Sequence, residues 1–245
     1  MTSPVQGAAS LWAGLTMIFR PELRRFVWIP LLVNSLLFGL GLWYGFGQTA
    51  DLLAWIAGFL PSWLQWLSWL LVPFLVVGAV LVLISTFTVV ANLIASPFLS
   101  LLAAEVEGLM TGKKPVAQSP AQAMGNELEK FFYSIKWLIW FPILFFIPVV
   151  NTLISPLWFV FCAWMMAVEY GDYPMANQGM NGRTVRQHLK CHRGGSLGFG
   201  VAVMVMMMVP VVNFLVMPAA VAGATIFWLK TRQPQTLEGQ FQATP

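Results

Sequence analysis

Two adjacent arginines, Arg24 and Arg25, lie in the stretch RPELRRF, immediately before a long apolar run that begins at Phe26. Guanidinium groups donate charge-assisted hydrogen bonds to oxyanions, and the free N–H groups at the start of a helix favour the same negative charge. These residues could therefore hold a tetrahedral oxyanion. The ordinary alternative is that arginines flanking a membrane helix set its orientation and touch lipid phosphates, which is the commoner case.

A second group of polar residues recurs at intervals of four within one apolar segment, and an earlier segment carries a single asparagine. Such spacing places side chains on one helix face, where they either line a pore or, more commonly, pack against a neighbouring helix. Pro97 makes this face uncertain beyond that point. Glu107 roughly continues the face, although Glu105 and Glu107 at a helix end are more often solvated than part of a gate. The polar stripe consists of Thr88, Asn92, Ser96 and Ser100, with Asn34 in the earlier segment.

His188, Cys191 and His192 have the i, i+3, i+4 spacing of a metal-binding face. Three residues without a fourth ligand are weak evidence for a metal site. The sequence contains no phosphate-binding glycine loop, no HExxH helix and no nucleophile elbow, and its apolar runs hold no paired acids for a proton relay. A dispersed net charge of +4 does not indicate nucleic acid. We therefore expect no metal, no cofactor and no enzyme activity.

The composition is that of a membrane protein. The chain has 245 residues, of which 58% are hydrophobic and 9% charged, and its mean hydropathy is +0.75. Four uncharged runs exceed the roughly 20 apolar residues that span a bilayer core of about 30 Å. They cover residues 26–50, 52–104, 137–168 and 194–229. The first run is too long for a cleaved signal sequence, so we expect it to be retained.

These runs predict a single all-α integral membrane domain over residues 1–245, with interfacial amphipathic helices beside its membrane helices. Two long transmembrane helices over 26–48 and 73–104 are joined by a Trp-rich interfacial segment, because indole rings favour the headgroup level. The other predicted segments are an interfacial helix with the anion-site turn (1–25), the Trp-rich segment (51–72), a polar cytoplasmic segment (105–136), a polar loop (169–193) and a tail (230–245).

The two later apolar blocks, 137–168 and 194–229, share a motif, PVVNTLISP and PVVNFLVMP. If each block crossed once, the basic loop between them would lie opposite the other basic loops, against the positive-inside rule. The two legs beside the first motif, and the leg after the second, also reach only about 17 Å at 1.5 Å per residue, roughly half of the core. We therefore expect two re-entrant helical hairpins, with a single kinked transmembrane helix in each block as the alternative.

The hairpin tips would place irregular backbone at membrane depth, which indicates a polar path. The outgoing helices are expected to begin at Pro156 and Pro218, where their N-termini would favour an anion. The hairpin-tip residues are Pro148, Asn151, Pro156, Pro210, Asn213 and Pro218.

Four sequence motifs follow one another along the chain. They are RRFVWIPLLVN, PSWLQWLSWLLVP, ANLIASPFLSLLA with TGKKP after it, and SPLWFVFCAWMMAVEYGDYPMAN. From about Phe19 to Lys230 the chain resembles the bacterial CysZ-type sulfate permease family. The resemblance implies sulfate uptake across the cytoplasmic membrane for cysteine synthesis, by an all-α oligomer with two crossing helices and partly penetrating ones. It also implies protomers in opposite orientations, which conflicts with the one-sided basic loops.

The resemblance also implies site residues. The sulfate site of the family lies ahead of the first crossing helix, which falls here on Leu23, Arg24 and Arg25. Family members often have glycine where this chain has Glu22, whose carboxylate repels an anion, so Glu22 is not expected to be a ligand. The polar constriction of the family is carried over to Asn92, Pro97 and Glu107.

We therefore expect a passive sulfate permease or channel in the bacterial inner membrane. The dianion would meet Arg24 and Arg25 and enter a path lined by polar donors. Membrane lipid and further copies of the chain are the other expected partners, and sulfite is a candidate regulator. The alternative is a structural or lipid-shaping membrane protein that acts through a partner, with no ion flux of its own. The expected path residues are Asn34, Thr88, Asn92 and Ser96.

Overall fold

The computed structural model describes residues 2–47, 58, 68–145 and 148–232. These residues form helices and no strand, which confirms the all-α class. The helices are α1 (Pro4–Met17), α2 (Pro21–Gly47), α3 (Ser68–Thr111), α4 (Pro120–Phe145), α5 (Pro148–Ala176), α6 (Gly182–Cys191), α7 (Arg193–Met207) and α8 (Pro210–Arg232). Four apolar stretches within them are long enough to cross a membrane: Pro21–Gly41, Leu93–Thr111, Ile154–Ala176 and Val212–Arg232.

The chain divides into two compact units, Met1–Trp28 with Ser96–Pro245, and Ile29–Ala95. The described part of the second unit consists of stretches of α2 and α3. Many of the large apolar side chains described there are exposed, and Leu32, Trp43 and Phe74 are all more than half exposed. Exposed apolar surface of this kind is expected where lipid, not water, surrounds a helix.

Helix α1 packs closely against α7 and α8 in the first unit. A Cβ added at Gly7 would lie 1.9 Å from the Gly195 carbonyl oxygen, and one added at Gly14 would lie 2.3 Å from the Gly223 nitrogen. No larger residue fits at these crossings without a backbone shift, as is common where membrane helices meet through small residues. Helix α1 therefore joins the helical core on one face, while Trp12 on its other face is exposed.

The core of the first unit brings α5, α6 and α8 together. Helix α6 is amphipathic and buries Val185 and Leu189, which pack on Phe227 and Trp228 of α8. Helix α6 has only 10 residues, too few to be stable alone in water. Burial of its apolar face against α8 therefore stabilises it. The core thus fixes α6, which leads into the turn before α7.

Each PVVN motif lies in the first turns of a helix. Helix α5 begins at Pro148 and continues through Pro156, and α8 begins at Pro210 and continues through Pro218. The expectation that the outgoing helices begin at Pro156 and Pro218 is therefore wrong. Proline fits best in the first helical turn, where its missing N–H would have had no partner, and the earlier proline of each pair takes that place.

Helices α5 and α8 are longer than the legs that were expected to reach only halfway across the membrane. Helices α5 and α8 have 29 and 23 residues, so they extend about 43 and 35 Å at 1.5 Å per residue. The leg after the first motif was expected to end at Val168, whereas α5 continues to Ala176 and includes polar residues. Each helix contains a stretch long enough to cross the core, so length alone does not favour a re-entrant hairpin.

The polar segment 105–136 and the polar loop 169–193 are mostly helical. Helix α3 continues to Thr111 and α4 begins at Pro120, so the irregular part is residues 112–119. Likewise α5 extends to Ala176 and α6 begins at Gly182. Charged residues on one face do not end a helix whose other face is buried. The Trp-rich segment, apart from residues 58 and 68–72, and the tail beyond Arg232 lie outside the described residues.

Candidate anion site and polar path

The predicted anion site lies where α1 ends and α2 begins. The Arg20 carbonyl accepts the backbone N–H groups of Leu23 at 3.0 Å and of Arg24 at 3.2 Å. The Leu23 side chain is fully buried and anchors the turn to the core. The Leu23 N–H is thus used within the turn, and the side chains of Arg24 and Arg25 are exposed.

Each of these arginines is exposed and has one neutral contact that orients it. Arg24 Nε donates to the Phe19 carbonyl at 2.9 Å, and the Arg25 guanidinium lies 4.8 Å from the centroid of the Phe26 ring. The bond to Phe19 uses one of the five N–H donors of Arg24, so an oxyanion could take the others. Glu22, in the first turn of α2, is the acidic residue of this turn and opposes anion binding.

The polar stripe of α3 ends in a packing contact. Ser96 and Ser100 are buried, and Ser100 Oγ donates to Asn177 Oδ1 at 2.7 Å. The Asn177 side chain donates in return to the Ser100 carbonyl at 2.8 Å, and the Gln118 N–H donates to Asn177 Oδ1 at 3.2 Å. These bonds hold loop 112–119 against α3 and the end of α5. Ser100 therefore packs against a neighbouring segment and does not line a pore.

The remaining stripe residues are described only in part. Pro97 lies within α3 and is partly buried. The structure describes the helical backbone at Asn34, Thr88 and Asn92 but not their side chains. Among the tip residues, Pro156 and Asn213 are exposed and Pro218 is buried, whereas the side chains of Pro148, Asn151 and Pro210 are not described. The pore assignment therefore stays a prediction.

Glu107 is buried, with 2% of its surface exposed. Its Oε1 accepts from Arg232 Nη1 at 2.8 Å and from Gln178 Nε2 at 3.0 Å, and within the described chain its Oε2 has no partner. The expectation of a solvated carboxylate is wrong for Glu107, because α3 continues beyond it and the end of α8 covers it. Glu105 is more exposed and pairs with Lys114.

A second buried charge cluster was missed by the sequence reasoning. Lys130 of α4 is only 6% exposed, and its Nζ lies 3.3 Å from Glu169 Oε1 and 3.7 Å from Asp172 Oδ2 of α5. The same ammonium lies 4.6 Å from the centroid of the Tyr173 ring. Glu169 and Asp172 are three residues apart, which is a helical spacing, but assigning them to a loop hid their common face.

His188, Cys191 and His192 belong to no metal-binding group among the described residues. His192 Nδ1 lies 3.1 Å from the His188 carbonyl oxygen, which can only accept, so Nδ1 carries the proton. His188 Nε2 lies 3.0 Å from Thr231 Oγ1, whose own proton goes to a carbonyl of α8. Burial and the neighbouring His192 lower the pKa of His188 to about 4, so its ring is neutral at pH 7.

The comparisons with known proteins agree with one another. The family model described as Sulfate transporter CysZ/Etoposide-induced protein 2.4 matches residues 10–218. The sulfate transporter CysZ of Pectobacterium atrosepticum is 38% identical over 231 residues, which are 91% of this chain and 84% of that protein. The sulfate transporter CysZ of Pseudomonas fluorescens is 40% identical over 253 residues, 98% of this chain and 100% of that protein.

The matched region contains the arginine turn, the polar stripe and both PVVN motifs. The resemblance drawn from sequence motifs is thereby confirmed. Because the family match and both relatives cover most of its length, the chain belongs to the Sulfate transporter CysZ/Etoposide-induced protein 2.4 family.

Proposed function

We propose that this chain is a sulfate permease of the bacterial inner membrane that offers the dianion a passive path. The observation that carries the proposal is the family match, together with the names of two relatives that are both sulfate transporters. Four apolar stretches long enough to cross a membrane support a multi-pass location. The absence of nucleotide-binding or proton-relay motifs in the sequence supports passive movement.

The entrance is the turn before α2. Sulfate at neutral pH is a dianion that only accepts hydrogen bonds, and the exposed guanidinium groups of Arg24 and Arg25 only donate them. Contacts to Phe19 and Phe26 orient both groups without neutralising their charge. Hydrogen bonds to charged groups contribute about 1.5–3 kcal/mol each, so two arginines account for substantial affinity.

Beyond the entrance, a path of polar side chains would replace part of the hydration of the anion. Glu107 fits this path better as an ion pair than as a free carboxylate. Its contact with Arg232 balances a negative charge that would otherwise repel the dianion. The proposed path residues are Asn34, Thr88, Asn92, Ser96, Pro97 and Glu107.

The re-entrant arrangement of the two PVVN blocks remains part of the proposal on charge alone. The segment between the blocks contains a basic helix, α6, whose Arg183 and Lys190 are exposed. The positive-inside rule favours the same side for this helix and for the other basic segments, which requires each block to return to the side from which it enters.

Lipid and further copies of the chain are the proposed partners, and sulfite is the proposed regulator. The outward apolar side chains of α2 and α3, such as Trp43 and Phe74, suit either lipid or a second copy.

The test is radiolabelled sulfate flux into liposomes that contain only this protein. We expect flux without ATP or a proton gradient, and an at least tenfold lower flux in the Arg24→Ala/Arg25→Ala double variant, because two charge-assisted contacts are lost. Arg183→Ala, which removes an exposed basic residue of α6, is the matched control and should transport normally. The melting temperature of each variant shows whether it is folded.

Two outcomes would overturn different parts of the proposal. Normal flux in the double variant would contradict the entrance and leave the permease intact. No flux in correctly folded wild-type protein would contradict the permease and favour the structural, lipid-shaping alternative.

A further inference from the structure

The corner where α6 ends and α7 begins borders an open cavity that the proposed sulfate path does not use. His192 is the single residue between the two helices. The cavity has a volume of about 480 Å³, within the roughly 300–1,000 Å³ typical of small-ligand sites. Its lining residues are Thr2, Lys190, Cys191, His192, Arg193 and Gly194.

The wall of this corner cavity is basic. Lys190 and Arg193 carry positive charge, and none of the six lining residues is acidic. Arg193 Nε donates to the Lys190 carbonyl at 3.1 Å, which holds the guanidinium at the wall. Four other basic side chains in the described part of the chain pair with carboxylates, whereas neither Lys190 nor Arg193 has such a partner there. The two charges are therefore left for a ligand.

The backbone adds donors at the same place. Helix α7 begins without a side-chain cap, whereas Ser3 caps α1 and Asn181 caps α6. Gly194, in the first turn of α7, lines the cavity, so the positive end of the helix dipole lies beside the basic side chains. A Cβ added at Gly194 would lie 2.7 Å from the Thr2 carbonyl oxygen, so the N-terminal segment of the chain packs directly against this turn.

The corner also lies at the level expected for lipid headgroups. Helix α6 is a basic amphipathic helix, which is typical of the membrane surface, and α7 is apolar after its first turn. The apolar stretch of α8 ends at Arg232, and its neighbour Thr231 is hydrogen-bonded to His188 of α6. The corner is thus beside the end of a stretch long enough to cross the membrane.

We propose that this cavity binds the phosphate of an anionic phospholipid headgroup. Phosphate accepts charge-assisted hydrogen bonds from lysine, arginine and helix N–H groups, which are the donors that line the wall. Free phosphate has the same chemistry, but it would fill only a fraction of the cavity. A headgroup with its glycerol fills more of this volume and arrives at the correct level from the bilayer.

Cys191 provides a reporter, because it is exposed and lines the cavity. In the full chain with Cys162→Ala, the rate of maleimide reaction at Cys191 is measured in detergent with added phosphatidylglycerol, phosphatidylcholine or inorganic phosphate. We expect phosphatidylglycerol to slow the reaction saturably by at least fivefold and phosphatidylcholine by less than twofold. Inorganic phosphate should protect only at far higher concentration.

Two variants test the basic wall. Lys190→Gln/Arg193→Gln should lose the protection by phosphatidylglycerol, relative to its own rate without lipid. Lys230→Gln, which removes an exposed charge at the end of α8, should keep it. Native mass spectrometry gives a second readout, as the double variant should retain fewer phosphatidylglycerol molecules than the control.

Equal protection by phosphatidylcholine, or protection retained in the double variant, would overturn the site. Protection by inorganic phosphate at the concentrations at which the lipid acts would overturn the lipid source and assign the cavity to a soluble oxyanion. Sulfate flux is not part of the experiment, so its outcome is independent of the proposed permease activity.

Discussion

The basic residues at the start of α2 and those in the polar interior of the first unit have different surroundings. Arg24 and Arg25 are exposed and contact neutral groups, a backbone carbonyl and a ring. Lys130 is buried between two carboxylates, and Arg232 reaches a buried one. A charge that the protein itself neutralises stabilises the fold, whereas a charge left without a carboxylate can be neutralised by a ligand. The local partners, more than the residue type, therefore distinguish an arginine that is available to an anion from one that is held within the fold.

The largest effect on stability is expected from breaking the Glu107–Arg232 pair. Arg232→Ala leaves the Glu107 carboxylate buried with Gln178 as its remaining donor. Removing one partner of a buried pair costs roughly 3–5 kcal/mol, and we expect about 2–4 kcal/mol here because Arg232 is one-third exposed. Thermal unfolding in detergent measures the change, and Lys230→Ala, an exposed neighbour on the same helix, should leave the melting temperature unaltered.

The same pair can be tested from its other side. Glu107→Gln removes the buried charge and keeps a group that can accept from Gln178, so it should cost less than Arg232→Ala. The double variant Glu107→Gln/Arg232→Ala should be more stable than Arg232→Ala alone. If all three variants have the melting temperature of the wild type, the pair contributes nothing to stability and the contrast between the two regions fails.

A smaller effect is expected from His188, whose pKa is lowered to about 4 by burial and by His192. Because the folded ring binds a proton less readily than the ring in the unfolded chain, whose ordinary pKa is 6.5, stability is lost as the pH falls below 6.5 and the loss grows toward pH 4. Solvent reaches part of the ring, so we expect a discounted loss of about 1 kcal/mol between pH 7 and pH 5.

Thermal unfolding of the wild type and of His188→Gln at pH 7 and pH 5 isolates this contribution. Glutamine can still donate to Thr231 but cannot take a proton, so the variant should lose less stability over the interval. Carboxylates titrate in both proteins and cancel in the comparison. An equal loss in the two proteins would show that the burial of His188 has no consequence for stability.

Uncharged runs in the sequence predict where helices form but not where they end. The predicted helices 26–48 and 73–104 correspond to α2 and α3, which begin at Pro21 and Ser68 and, for α3, continue to Thr111. An uncharged run measures the part of a helix that suits lipid, whereas a helix continues wherever its polar flank finds packing partners. The same limit hid α6 within a predicted loop.

The side-chain environment of the candidate site depends on contacts distant in sequence. The local sequence predicts a solvated carboxylate at Glu107 because the partners of this residue, Gln178 and Arg232, are 71 and 125 residues away along the chain. Arg24, in contrast, contacts the carbonyl of Phe19, five residues earlier and directly before the RPELRRF motif. Local sequence therefore predicts the arginine turn better than it predicts the buried ion pairs.

The smallest effect sharpens the comparison at the anion site itself. Glu22 is an exposed carboxylate in the same turn as the two arginines, so it partly offsets their attraction for a dianion. Glu22→Gln should raise sulfate flux at limiting sulfate by roughly two- to threefold at low ionic strength, and the gain should shrink as salt is added. Glu22→Asp keeps the charge and should behave as the wild type.

Equal flux in the wild type and Glu22→Gln at low salt would mean that the anion does not pass this turn, because a carboxylate beside the path would otherwise lower the sulfate flux. A gain with glutamine that disappears in the Arg24→Ala/Arg25→Ala background would instead place the carboxylate and the arginines at one site.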